Sequence, residues 1–161
     1  MANSVLREGQ KVPSFALKDQ DGKVRRLSDY QGHWLVLYAY PRDLTPGCTV
    51  EAEDFTALFG DFERLGVAVL GISPDTDAKH KQFCEKKSLR HILLADPEHE
   101  TLESLGVWQK KKFMGRESMG VVRSTWLIDP QGFVRATWSP VQVKGHAREV
   151  LEKAQQLIDG A

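Results

Sequence analysis

The sequence predicts an α/β protein, with a central mixed sheet flanked by helices and an N-terminal β-hairpin. Three observations carry that prediction. Two nearly continuous apolar runs, 33–40 and 67–72, read as strands buried on both faces. Segments with helical apolar spacing alternate with these runs, as they do in layered α/β folds. A β-hairpin signature stands near the front of the chain and another precedes the last helix.

The elements follow in order. Residues 15–18 alternate, meet a turn at Asp21-Gly22, and return through 23–27 as a hairpin. Residues 28–32 read as a short turn or helical loop. The run 33–40 is the expected central strand, and Pro41 stops it. From 49 to 65, Val50, Phe55, Leu58, Phe59, Phe62 and Leu65 recur at helical spacing, and Gly66 supplies a C-cap signal. A second buried strand covers 67–72. Asp75 and Asp77 are candidate caps for a helix carrying Ala78, Phe83 and Cys84. A short strand at 91–95 precedes a short helix over 98–106. Residues 109–119 are basic and read as a loop. Residues 124–129, the Pro130-Gln131-Gly132 turn and 133–138 form the second hairpin. A closing helix is expected from about 146 to 158, carrying Val150, Leu151, Ala154, Leu157 and Ile158.

A length of 161 residues suits a single domain, 1–161, with a full-sized core, and neither repeats nor linkers divide it. Lys plus Arg and Asp plus Glu balance at 22 each, so no basic excess exists to track nucleic acid. No apolar stretch is long enough to span a bilayer. Residues 1–8 show no apolar leader and no lipidation motif, and a cytoplasmic location is expected. The two cysteines, Cys48 and Cys84, are too few for a structural zinc site without several partners. Two buried apolar thiols would be the bland account of them.

Position separates Cys48 from that account. Residues 40–51 join the central strand to the first long helix, so Cys48 falls in the helix's first turn. There, free backbone N–H groups and the positive end of the helix dipole stabilise a thiolate, the reactive form. Pro46 and Gly47 let the backbone turn tightly ahead of the sulfur. Glu51, in the same turn, is explained as readily by favourable N-terminal charge as by a role in the site.

Pro41, Thr45 and Cys48 match the Pro-x-x-x-Thr-x-x-Cys motif of peroxiredoxins. The wider string 40–49 resembles the Q-type branch, also called bacterioferritin comigratory proteins. Further similar blocks run through 9–17, 71–75, 94–97 and 120–130. The resemblance implies a thioredoxin-like (peroxiredoxin) fold and a thiol peroxidase acting on hydrogen peroxide and organic hydroperoxides. By that resemblance Cys48 is the peroxidatic nucleophile, which becomes a sulfenic acid. Thr45 hydrogen-bonds the thiolate and the peroxide. Arg123 is the active-site arginine that stabilises charge on sulfur and on the leaving oxygen. Pro41 shields the pocket from water. No cofactor or metal is implied, because thiols supply the electrons. Thioredoxin or glutaredoxin is implied as reductant, and a monomer as the assembly.

The sequence departs from many Q-type members in one respect. Glu53 occupies the position where they carry a resolving cysteine. Cys84 resembles the resolving cysteine of a subset of the branch, which implies an intramolecular Cys48–Cys84 disulfide. Two cysteines on separate helices would need local unfolding to meet bridging geometry.

Other chemistries fit less well. A dithiol oxidoreductase needs Cys-x-x-Cys at this junction, and Thr45 takes the first position. A Cys–His hydrolase needs a base, but His33, His80, His91, His99 and His146 are scattered and read as surface or structural. No metal-ligand motif is present. An inactive binding module is disfavoured by Thr45, Cys48 and Arg123 occurring together. Lys110 to Lys112 read as a solvated loop, with a docking patch for an acidic reductant as the alternative. Trp108, Phe113 and Met114 either edge the pocket or anchor that loop.

Overall fold

Period-two alternation decides the two faces of the sheet. The computed structural model describes residues 4–160, so the reading of the extreme N-terminus rests partly on residues outside it. The chain opens with strands β1 (Ala16–Lys18) and β2 (Val24–Arg26), a 3-10 turn over Leu27–Tyr30, and β3 (Trp34–Ala39). Helices α1 (Pro46–Ala57) and α2 (Phe59–Arg64) precede β4 (Val67–Ser73), α3 (Asp77–Lys87), β5 (Ile92–Ala95) and α4 (Glu100–Ser104). Then come β6 (Trp108–Phe113), β7 (Arg116–Val121), β8 (Ser124–Ile128), β9 (Val134–Trp138) and α5 (His146–Asp159).

The central sheet has the order β5-β4-β3-β8-β9. Strands β3, β4 and β5 run parallel, and β8 and β9 extend the sheet in antiparallel fashion. Along β3, Val36 and Tyr38 enter one core with α1, α2, α3 and α5. Leu35, Leu37 and Ala39 enter the other, with Trp126, Leu102 of α4 and the N-terminal segment. This is the mixed sheet between helical layers, with a front hairpin, that the sequence predicts. At Asp19 that hairpin is tied together: its carboxylate accepts from the Asp21 and Lys23 backbone N–H groups (2.8 and 3.0 Å) and from Arg25 Nε (2.8 Å).

Three local expectations are corrected. The helix expected over 49–65 starts at Pro46 and breaks at Leu58. Beyond the break Phe62 is buried, while Phe59 meets the Arg90 guanidinium 4.8 Å from its ring. Val50 lies on the exposed side of α1, at 47%. The cap of α3 is Thr76, whose hydroxyl accepts from Lys79 N at 3.2 Å, and not Asp75 or Asp77.

The third correction is larger. Residues 109–119 are not a loop; they fall within the β6–β7 hairpin, in register Lys111↔Ser118. Met114 and Gly115 both have positive φ, 52° and 79°, the geometry of a two-residue hairpin turn. Both faces of the outer ribbon meet solvent, so no apolar alternation marks it. Phe113 and Met114 stand out at 76% and 88% exposure, neither lining a pocket nor anchoring a loop.

Candidate active site

The polypeptide leaves the end of β3 through a tightly held loop before entering α1. Tyr40 continues the strand, its N–H donating to Ile72 O at 3.1 Å. Leu44 follows in the left-handed region at φ 64°, a conformation that costs an L-residue about 1–2 kcal/mol. Thr45 is the extended N-cap residue, and Pro46 takes the first helical position, where its missing N–H costs nothing. Cys48 therefore lies in the first turn, as the sequence predicts, and is 2% exposed.

Helical spacing places Cys48, Glu51, Ala52 and Phe55 on one buried stripe of α1. A glutamate on such a stripe needs a partner, and Arg123 supplies it. Arg123 sits between β7 and β8, and its Nη1 donates to Glu51 Oε1 at 2.6 Å. Its Nη2 donates to Cys48 Sγ at 3.3 Å. One guanidinium thus bridges the carboxylate and the sulfur, a fork that lysine cannot reproduce. The approach is close: a Cβ on Gly47 would come within 3.3 Å of Arg123 Nη2.

Burial pushes the Glu51 carboxyl up to about 7, with the Arg123 guanidinium pulling the other way. Its second oxygen, Oε2, has no hydrogen-bond partner among the described residues, so nothing at that oxygen offsets the burial. Arg123 remains firmly cationic, since the opposing charges around it outweigh its desolvation.

Thr45 behaves differently from the sequence expectation. Its hydroxyl donates to Arg42 O at 2.8 Å, so in this state its proton is not directed to the sulfur. The oxygen keeps its lone pairs to accept from a ligand. Pro41 is half-buried at the start of the loop.

Cys84 is half-buried on α3, and both cysteines are free thiols. Both belong to the same core, Cys48 within it and Cys84 packed against it. Burial, aided by nearby carboxylates, pushes the Cys84 thiol up to about 12. In the folded state it is held as a thiol.

Two neighbours of the site were not placed there by sequence reasoning. Lys111 of β6 has its amine pushed down by burial, with Arg123 adding to this and the Cys48 sulfur opposing it. The hairpin therefore brings a second cation near the pocket, although the residue is largely exposed. The other is a buried cluster of Tyr40, Asp43, Asp75 and His80. Tyr40 Oη donates to Asp43 Oδ1 at 2.6 Å, and His80 Nδ1 meets Asp43 Oδ2 at 2.6 Å. Ligand atoms of Asp43, Asp75 and His80 lie within 4.8 Å of one another. Internal donors already engage them, including Asp43 N to Asp75 Oδ2 at 2.8 Å. No motif announces this cluster, because its members come from two loops and a helix.

The remaining histidines read as expected. His91 accepts or donates to Tyr38 Oη at 2.6 Å and Thr56 Oγ1 at 3.1 Å. His146 pairs with Thr125 Oγ1 at 2.8 Å. Burial holds them low, to about 3 and about 4 respectively.

Comparison with known proteins agrees with this geometry. The AhpC/TSA family model matches residues 8–137. Peroxiredoxin Bcp of Bacillus subtilis is 45% identical over 151 residues, covering 94% of this chain and 96% of that protein. A bacterioferritin comigratory protein of Xanthomonas campestris, solved as trapped intermediate and ligand complexes in work on alkyl peroxide reduction, superposes with a TM-score of 0.86 at 35% identity, over 89% of this chain and 92% of that one. Xanthomonas campestris peroxiredoxin Q has also been solved as C48S and C84S mutants, in its own numbering. The C48S structure gives a TM-score of 0.87 at 33% identity, over 98% of this chain and 99% of that one.

Proposed function

Because the chain belongs to the AhpC/TSA family and is a thiol peroxidase of the peroxiredoxin kind, we propose that Cys48 carries the chemistry. The observation that carries this is the single guanidinium of Arg123 donating to both Cys48 Sγ and Glu51. That charged donor meets the sulfur at a helix start, the end where free N–H groups suit an anion.

In the first step the Cys48 sulfur attacks one peroxide oxygen. The S–O bond forms as the O–O bond breaks, leaving Cys48 as a sulfenic acid and releasing water or an alcohol. Cys48 is oxidised by two electrons and the peroxide is reduced by two. Arg123 stabilises charge on the leaving oxygen. Thr45, with its proton given to Arg42 O, accepts the peroxide O–H. Pro41 shields the pocket mouth. The X. campestris relative, studied for alkyl peroxide reduction, supports organic hydroperoxides as substrates beside hydrogen peroxide.

In the second step Cys84 attacks the Cys48 sulfenic sulfur. The S–S bond forms, the S–O bond breaks, and hydroxide leaves as water with the Cys84 proton. An external dithiol of the thioredoxin or glutaredoxin type then reduces the disulfide. The relative solved as separate single cysteine-to-serine mutants of two cysteines supports a reading in which both thiols matter. A cycle that starts from two thiols suits a reducing compartment such as the cytoplasm. Among the described residues no helix is long and apolar enough to cross a membrane. The two cores that pack on one central sheet support a single peroxidase domain, read here as working as a monomer.

Peroxide consumption with a thioredoxin reductant tests the reading. Cys48→Ser is expected to abolish turnover, and Cys84→Ser to allow one oxidation without a disulfide. Full activity of Cys48→Ser would overturn the assignment. One equivalent of peroxide should remove two hydrogens from the monomer mass; a cross-linked dimer would exclude Cys84 as the internal resolver.

A further inference from the structure

The buried contact between Asp43 and His80 plays no part in peroxide reduction as derived above. We propose that it is a latch between the Cys48 loop and the Cys84 helix, and that its release sets how fast the sulfenic acid is resolved. Asp43 and His80 are positioning residues in this scheme. The proposal rests on the reading of Cys84 as the resolving cysteine.

The placement of the two residues suggests the role. Asp43 lies in the short loop that leads to Cys48. His80 lies one turn before Cys84 on the same face of α3. The pair therefore ties together the two segments that carry the two thiols. Both side chains are fully enclosed, with 0% exposure.

Each partner is also anchored to the sheet. His80 Nε2 meets Leu94 O of β5 at 2.9 Å; a carbonyl only accepts, so this nitrogen carries a hydrogen. The other ring nitrogen, Nδ1, faces Asp43 Oδ2 at 2.6 Å, and one proton lies on that line. Asp43 Oδ1 receives the Tyr40 hydroxyl from the end of the central strand. The Asp43 backbone N–H donates to Asp75 Oδ2, which also accepts from Ser73 Oγ at 2.7 Å. Every polar atom of the Asp43 carboxylate and His80 ring is matched while both segments are folded.

Opening either segment undoes this matching. Cys84 is held as a thiol by burial and becomes an effective nucleophile only when its helix opens to water. Withdrawing α3 around Cys84 carries His80 away from Asp43 and Leu94. Leu44, strained at φ 64° directly after Asp43, relaxes when the loop is released. The latch thus favours the closed state, in which Cys48 meets peroxide, over the open state, in which Cys84 reaches Cys48.

A consequence is a competition at the sulfenic acid. With the latch closed, a second peroxide converts Cys48–SOH to the sulfinic acid, releasing a second water or alcohol. With the latch open, Cys84 forms the disulfide and releases water.

The test compares the parent with His80→Gln and the milder Tyr40→Phe, both checked for folding by circular dichroism. Stopped-flow fluorescence would follow disulfide formation, and mass spectrometry would give the sulfinic fraction after excess peroxide. Loss of one buried hydrogen bond should speed disulfide formation by about tenfold and lower the sulfinic fraction correspondingly. Hydrogen exchange on the reduced proteins should show lost protection in 77–87 and 41–49 together, even in Tyr40→Phe, which leaves both Asp43 and His80 in place. Unchanged or slower disulfide formation in folded variants, with exchange as in the parent, overturns the latch alone. Absence of any Cys48–Cys84 disulfide in the parent overturns the Cys84 reading and the latch with it.

Discussion

Arg123 concentrates the residue-scale argument, because one side chain holds both the sulfur and Glu51. Replacing it by methionine keeps its length and removes every donor. The expected result is a fall of roughly 10²–10³ in kcat/KM for peroxide, the usual effect of losing a charge-stabilising donor. Arg123→Lys should recover little of that loss, since an ammonium cannot span the two contacts. Steady-state assays of both variants check this; full activity in the lysine variant would show that charge alone suffices.

Glu51 has a separate signature in pH. Its folded-state value is raised to about 7, above the ordinary 4.5 of the unfolded chain. Below about 4.5 the carboxyl is neutral in both states and carries no penalty. As pH rises towards 7, only the unfolded state ionises freely, so stability attributable to Glu51 is lost across that window. Urea unfolding of the parent and Glu51→Gln from pH 4 to 8 should show the variant gaining relative to the parent as pH rises. A gap that moves in the opposite direction would mean that Arg123 dominates over burial.

At the scale of elements, close packing in the sheet makes Gly71 a sensitive position. It pairs with Tyr38 across β3 and β4, and an added Cβ would lie 2.9 Å from both the Tyr38 ring and Leu93. Tyr38 is fully buried and hydrogen-bonded to His91, so it has no free direction in which to yield. Gly71→Ala should cost about 1–3 kcal/mol, read as a lower urea midpoint at unchanged slope. The β6–β7 hairpin should behave in the opposite way. Serine at Phe113 and Met114 removes apolar groups that are already in water, so stability should stay within about 0.5 kcal/mol of the parent. A larger loss would mean that the tip packs against something in solution.

The whole molecule must reconcile two demands on the same helices. A folded first turn of α1 presents Cys48 to peroxide, whereas a disulfide requires segments near Cys48 and Cys84 to rearrange to bridging geometry. Oxidation should therefore remove hydrogen-exchange protection from the start of α1 and from α3, while β3, β4 and β8 keep theirs. Exchange on the disulfide form measures this directly. Equal protection in the oxidised and reduced proteins would mean that the bridge forms without opening.

Much of this protein was legible from local pattern. The buried strands over 33–40 and 67–72 are short apolar runs that leave no helical alternative. Cys48 at the junction that follows could be found because Pro46-Gly47 marks a helix start and helix starts favour thiolates. Glu51 is noticeable too, but its helix starts at Pro46, so it lies beyond the first turn and on the buried stripe of Cys48, which favours the site role over N-terminal charge. The hairpin over 108–121 was hidden because both of its faces are wet and its turn uses Met114-Gly115 in place of a familiar turn pair. What only the tertiary structure decided is which distant groups converge. Arg123 reaches Cys48 because β8 lies beside β3, and His80 reaches Asp43 because β4 and β5 set α3 over the same loop. Local sequence carries propensity and periodicity. The pairing of buried charges depends on how the sheet brings remote segments together.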